Sequence, residues 1–599
     1  MSRAIASTNV VLGDQILPAT IIFSLQSGKI LKIVEKVLTV KDSSVLAQYG
    51  VDFSDFRDLS PHVILPGLVD AHVHLNEPGR TEWEGFATGT QSAASGGVTT
   101  VIDMPLNAIP PTTTISNFNL KIEAARGQTW VDTGFWGGLV PDNLDHLVPL
   151  IAAGVRGFKG FLIDSGVDEF PAIDPAYVDR ALQAVKGNPT MLMFHAEMQP
   201  QTSGSSCCSS SGDNSGETTD SSITEVADEI DDLDLGMSSS FVSRAPLPVK
   251  SMLQNASRKH EDHQDCTLPH KHAASMDHNV LSDKQAQALA LSPLLSAVEP
   301  KTGLFAQLAK SPELRAVGDE NSRGMASPIL SAAEYDSTLQ SVDPTAYASF
   351  LASRPDSFET TAIAEIINCA AKEPSVPMHI VHLATHEAVP LLRAAQQKGL
   401  KITTETCFHY LSLQAETIGN CQTQFKCCPP IRTESNRKLL WKALKEGVIS
   451  SVVSDHSPCT PELKGFDRGD FFAAWGGISS VGLGLPILWT EGSKLSPPVS
   501  LTDIAKWTSW NTAKQVGLQH RKGKIAVGMD ADFAIFNPEA AFTVANARTF
   551  FKNKLTAYDS KDLKGRVVET IVRGNSVYAL GKGLSDVPMG ALLLEPRFQ

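Results

Sequence analysis

No stretch of this chain is apolar for long enough to cross a membrane, which excludes a helical membrane anchor as an expectation. The opening residues, Met1-Ser-Arg-Ala-Ile-Ala-Ser, lack the apolar core of a secretory signal. Positive charge is in deficit: 51 Lys and Arg stand against 65 Asp and Glu, a formal net charge of −14. Broad binding to nucleic acid or to an anionic membrane is therefore not expected. Cysteine is sparse too. Nine in 599 residues do not make a disulfide framework, and Cys369 and Cys407 fall in predicted core elements, as reduced intracellular cysteines do. The last residues, Arg597-Phe-Gln, are not a Ser-Lys-Leu peroxisomal address. A cytoplasmic location is the expectation. What the chain does have, 42% hydrophobic and 19% charged residues, fits a globular enzyme. The length allows several domains, or one large barrel with additions.

Residues 1–66 alternate apolar and polar, as in Thr20-Ile-Ile-Phe-Ser-Leu, and residues 521–599 show the same texture, as in Arg566-Val-Val-Glu-Thr-Ile-Val. Short strands at both ends predict one composite β-sandwich built from the two termini. Between them, over 67–199 and 338–520, strand-like and helix-like segments alternate, the pattern of parallel α/β folds. Eight strand candidates end at His72/His74, in Val98–Met104, Phe135–Val140, Val155–Leu162, Pro189–Glu197, Pro377–Ala384, Lys401–His409 and Ile449–His456. Several helical pieces end at a glycine, among them Gly154, Gly187, Gly399 and Gly447, which suits a left-handed cap. The fold class is thus α/β, a (β/α)8 barrel with its site at the C-terminal ends of the strands. An open doubly wound sheet fits less well, because no Gly-rich phosphate turn follows the first strand. Residues 200–337 break the alternation with Ser/Gly/Asp-rich text, which predicts a largely disordered insert after strand five.

The chemistry is concentrated at the predicted strand ends. Asp70-Ala-His72-Val-His74 places two histidines at i and i+2, on one face of a strand. Strand four puts Lys159 among apolar neighbours, strand five ends at His195, strand six carries His382 and strand eight Asp455. Each alone has a plainer explanation. A single buried imidazole is usually just hydrogen-bonded, Lys159 could reach solvent, and Asp455 could cap a helix. Together, at one rim of one barrel, they point to a metal site.

These stretches resemble the cyclic-amidohydrolase branch of the metal-dependent amidohydrolases. The similarity runs through Asp70-Ala-His-Val-His-Leu-Asn-Glu-Pro-Gly-Arg-Thr-Glu-Trp-Glu-Gly-Phe, Asp103-Met-Pro-Leu-Asn, Gly157-Phe-Lys-Gly-Phe-Leu-Ile-Asp-Ser-Gly and Val453-Ser-Asp-His-Ser-Pro-Cys. It covers about 60–199 and 340–535, and the insert has no counterpart in it. The resemblance implies two divalent metal ions per chain, most often zinc. His72, His74 and Asp455 would hold the more buried ion, His195 and His382 the other. Lys159 would bridge both as a carbamate formed with carbon dioxide. Asp455 would also carry the proton during hydrolysis of a small cyclic amide. Asn76, Arg80, Asn107 and the main chain at Cys428 are the expected substrate contacts, with Arg80 equally able to pair with Glu77 or Glu84. A homo-oligomer, a tetramer, is implied by resemblance alone.

Three rings compete as the substrate. Dihydropyrimidinases carry a tyrosine shortly after the bridging lysine, and Phe161-Leu-Ile-Asp-Ser-Gly-Val-Asp-Glu-Phe has none. Dihydroorotases favour Met-Pro-Asn-Thr where this chain has Met104-Pro-Leu-Asn. Both differences favour allantoin. Relatives that lose ligands serve as scaffolds, but all six ligand positions are intact here. The insert's His260, His263, Cys266, His270 and His272 are too irregularly spaced to suggest a second metal site, and Cys207-Cys208 is no stronger.

Overall fold

The computed structural model describes residues 1–39, 42–200 and 342–598. All but the few described residues beside the 201–341 segment belong to one compact unit that includes Met1–Gln199 and Pro344–Gln599. The predicted insert, apart from Pro200, and its His and Cys residues lie outside the described residues. Among the described residues, no helix is long and apolar enough to cross a membrane.

Eight parallel strands form the barrel, in the predicted order. They are Leu68–Val73, Val98–Asp103, Asp132–Phe135 continued by Gly137–Gly138, Phe158–Phe161, Leu192–His195, Met378–Ile380, Ile402–Cys407 and Ser451–Val453. The third strand is divided at the buried Trp136, its first part pairing with strand two and its second with strand four. Closure comes from a parallel bridge between Val73 and His456, with the His74 amide donating to the His456 carbonyl at 2.8 Å. The first two strands are buried at every residue, as expected where helices cover one face and packed side chains fill the other.

The helices follow their local signals. Thr114, Asp174, Thr433 and Ser500 cap their helices by accepting an amide proton on the side chain. Gly154, Gly187, Gly399 and Gly447 all have positive φ. Helices that the alternation did not single out include Ile115–Ala125 and Gly484–Gly492. At the second, Gly484 lies under the ring of Phe408, where a Cβ would meet Phe408 Cζ at 2.1 Å.

Both chain ends contribute to one nine-stranded sheet of the β-sandwich domain. They meet at Val63–Pro66, which runs parallel to Ser2–Leu12 and antiparallel to Phe533–Thr543. Buried apolar residues lie on its two faces, Ile21 and Phe23 on one and Ile22 on the other, as period-two alternation requires. Gly67 then carries the chain into the barrel so close to Thr99 that a Cβ would lie 2.2 Å from its hydroxyl. At the N-terminal end of strand three, Lys522 Nζ lies 2.6 Å from Asp132, 2.6 Å from Asp532 and 3.0 Å from Asp530, all buried.

Candidate metal centre

The strand ends deliver the six sequence-predicted ligand side chains to one buried cluster. His72 Nε2 lies 3.1 Å from Asp455 Oδ1 and 3.3 Å from Lys159 Nζ. His74 Nε2 lies 3.6 Å from the same carboxylate oxygen, and His195 Nδ1 lies 3.0 Å from His382 Nε2. The His72 and His382 rings are 5.4 Å apart, which joins the two halves. Ligand atoms of His72, His74 and Asp455 all lie within 4.8 Å of one another.

The backbone at this rim is unusual. Of eight described non-glycine residues with positive φ, four belong here: His382 at 39°, Asp455 at 45°, Asn76 at 63° and Asn107 at 68°. Left-handed backbone costs non-glycine residues free energy and concentrates at functional sites. It also explains why strands six and eight are shorter than the alternation predicts. The chain leaves extended geometry as it turns His382 and Asp455 inward.

Electrostatics favour uncharged, lone-pair-bearing donors. Burial pushes His74 down to about 4 and His382 well below its ordinary value. Burial also brings Lys159 down to about 8, against the pull of Asp455 and Glu405. For Asp455, burial acts upward, but His72, His74 and His382 hold it well below the usual carboxylate range. A neutral imidazole or amine beside an ionised carboxylate is the state in which such a set accepts a cation.

Behind the ligands stand partners that the sequence reading did not pick out. Glu405 lies 2.7 Å from His72 Nδ1 and 3.1 Å from His379 Nε2, and Gln515 donates to it at 2.7 Å. Glu197 lies 2.6 Å from His195 Nε2 and accepts a fork from Arg354 at 3.0 and 2.5 Å. Each glutamate takes the proton-bearing nitrogen of its histidine, so the other nitrogen faces the cluster. The signal was present: Glu197 is two residues from His195, and Glu405 alternates with Cys407 on one face of strand seven. His382 Nδ1 is buried with no hydrogen-bond partner.

The expected substrate contacts fall into different places. Asn76 donates to the Pro458 carbonyl at 3.3 Å and keeps a buried, unpartnered amide oxygen. The Asn107 amide lies 3.3 Å from His74 Nδ1. Arg80 pairs with Glu169 and donates to the Asn107 carbonyl, while its guanidinium lies over Trp83. It pairs with neither Glu77 nor Glu84, because Glu77 accepts the Phe86 amide and Glu84 the Lys552 amide. Cys428 is partly buried, next to the closely packed Cys427.

The amidohydrolase family model matches residues 63–254 and 363–577 of this chain. The chain belongs to the amidohydrolase family, and within it to the allantoinases. It is 44% identical to the allantoinase of Saccharomyces cerevisiae over 597 residues, covering 99% of both chains. It is 36% identical to that of Streptomyces avermitilis over 537 residues, covering 90% of this chain and 88% of the relative. Among solved structures it superposes on the L-hydantoinase (dihydropyrimidinase) of Arthrobacter aurescens, with a TM-score of 0.70 and 20% identity, covering 99% and 100% of the two chains. At that identity the likeness is one of fold: a barrel of this kind with a β-sandwich. Family membership makes the chain a hydrolase of the metal-dependent type, acting on a small cyclic amide.

Proposed function

We propose that this chain opens the hydantoin ring of allantoin to give allantoate. The observation that carries the reading is the gathering of His72, His74, Lys159, His195, His382 and Asp455 at the C-terminal strand ends. Similarity to relatives named allantoinase over almost the whole chain supports the choice of ring.

The donor set fits two divalent ions, zinc foremost, since imidazole nitrogen and carboxylate oxygen suit it. His72, His74 and Asp455 would hold one, and His195 and His382 the other. Lys159, with a neutral amine within reach at working pH, would add carbon dioxide, shed a proton and bridge both as a carbamate. Such ions polarise a ring carbonyl and lower the pKa of a water toward neutrality. Asp455 takes the proton of the attacking water and delivers it to the departing ring nitrogen. Glu405 and Glu197 hold the imidazoles of His72 and His195 in the orientation this requires. The buried Asn76 amide oxygen lacks a partner that a substrate N–H would supply. Arg80 and Asn107 fix the rim and the His74 ring, and Cys428 serves through its main chain. A cytoplasmic homotetramer completes the reading.

The test is ring opening by the purified, zinc-loaded chain, with allantoin, dihydroorotate and dihydrouracil compared side by side. Allantoin alone is expected to turn over. Turnover of another ring instead would move the substrate but keep the chemistry. Failure with allantoin at full metal loading would overturn the reading.

A further inference from the structure

Three buried triads among the described residues bring potential ligand atoms within 4.8 Å of one another, and they differ in what fills them. His72, His74 and Asp455 belong to the centre described above. Asp132, Asp530 and Asp532 already hold a cation, the Lys522 ammonium. The third triad is Cys407, His409 and Asp455, and among the described residues no Lys or Arg is ion-paired with it as Lys522 is with the second.

Cys407 ends strand seven and His409 sits in the first turn of the short helix Phe408–Ser412 that follows. Both side chains are fully buried. The His409 ring meets Tyr410 edge-on at 4.1 Å, yet neither Nδ1 nor Nε2 has a hydrogen-bond partner. A neutral imidazole has one donor and one acceptor, and leaving both unmet in the interior is costly. Cys407 is a free thiol. We infer that Cys407, His409 and Asp455 form a third cation site, selective for a thiophilic divalent ion such as Zn²⁺, whose occupation inhibits the enzyme. Sulfur, imidazole nitrogen and carboxylate oxygen together suit zinc and do not suit magnesium or calcium. Three protein ligands leave the fourth position of a tetrahedral ion to a water. On binding, the Cys407 thiol becomes a thiolate and its proton leaves to solvent. Inhibition follows because Asp455 is the shared ligand. With one carboxylate oxygen on the buried ion of the catalytic pair, Asp455 has only the other to carry the proton, and an ion held by Cys407 and His409 would occupy it, a consequence that rests on the function proposed above.

The test uses the full-length enzyme loaded with its two ions and then titrated with Zn²⁺ or, as a spectroscopic probe, Co²⁺. The wild type is expected to take up a further equivalent by equilibrium dialysis and to develop a thiolate-to-cobalt band in the near ultraviolet. Ring opening is expected to fall roughly tenfold as that equivalent binds. Cys407→Ser is expected to keep two ions and its basal activity, to lack the band and to resist excess zinc. His409→Asn, a second route to the same loss, should behave alike. A band that survives Cys407→Ser, or a further equivalent that persists in both variants, would overturn the site. Uptake and band without inhibition would overturn the inhibitory role. A wild type with the band but no allantoin turnover at any zinc level would uphold the site and refute the catalytic reading instead.

Discussion

The two ends of the barrel treat buried charge in opposite ways. At the foot, Asp132, Asp530 and Asp532 surround Lys522, a cation that the chain itself provides. Burial alone would push the Lys522 ammonium down, but the three carboxylates raise it, so the group stays charged. At the mouth, the chain gathers imidazoles, one carboxylate and one amine, and burial drives His74, His382 and Lys159 toward their neutral forms. Counter-charge in the first case is covalent and permanent. In the second it has to come from outside. A cluster that completes itself contributes rigidity, and one left incomplete is a binding site.

The sharpest way to break this contrast is to remove the amine at the mouth. Lys159→Ala is expected to lose bound metal and ring opening together, the latter by about a thousandfold or more, while folding and the foot cluster persist. Metal content per chain and thermal unfolding check the two halves of that statement. Full activity would refute a bridging Lys159. The converse experiment is Lys522→Met. It takes the shared ammonium from three buried carboxylates, of which Asp530 keeps Lys29 and Arg521 and Asp132 keeps Arg573, while Asp532 keeps no ion-pair partner among the described residues. A loss of about 3 kcal/mol in unfolding free energy is expected, with unchanged metal per folded chain. A milder lesion is Glu197→Gln, which spoils the hold on His195 without touching the cluster. Metal affinity is expected to fall about 10- to 100-fold, as read by competition with a chelating dye.

How much of this was legible in the sequence follows from the range of each interaction. His72, His74, Lys159, His195, His382 and Asp455 were visible because a strand ends where its apolar run ends, and the period of two fixes the face. The glycine caps were equally local. Pairings made by barrel closure were not. Glu405 reaches His72 across 333 positions, Arg354 reaches Glu197 across 157, and Lys522 reaches Asp132 across 390. No local pattern encodes such pairs. Arg80 shows the same limit: nearby Glu77 and Glu84 were the natural partners by sequence, yet the chain commits it to Glu169, 89 positions away. The role of Phe408 was likewise invisible until the fold placed Gly484 beneath its ring.

A third cluster tests the comparison most finely, with the smallest expected effect. Lys426 is buried like Lys522, but among the described residues no carboxylate is ion-paired with its ammonium. Instead it donates to the carbonyls of Phe472 at 3.0 Å and Ala474 at 2.5 Å. Lys464 does the same to Trp475 and Gly477 along that loop. Carbonyl dipoles compensate less than three full charges do, so burial wins and Lys426 falls from 10.5 to about 8. The sign of the pH dependence follows. Between about pH 8 and 10.5 the unfolded chain binds more protons at this site than the folded one, so stability rises with pH across that window. Below it, the cost of a buried ammonium is fully present. Compared with Lys426→Met, the wild type is expected to gain up to about 3 kcal/mol over that range, other titrations cancelling in the difference. Urea unfolding of both chains at a series of alkaline pH values reads it directly. A flat difference would mean that the loop carbonyls serve Lys426 as well as the carboxylates serve Lys522, and that the two ends of the barrel differ less than their charges suggest.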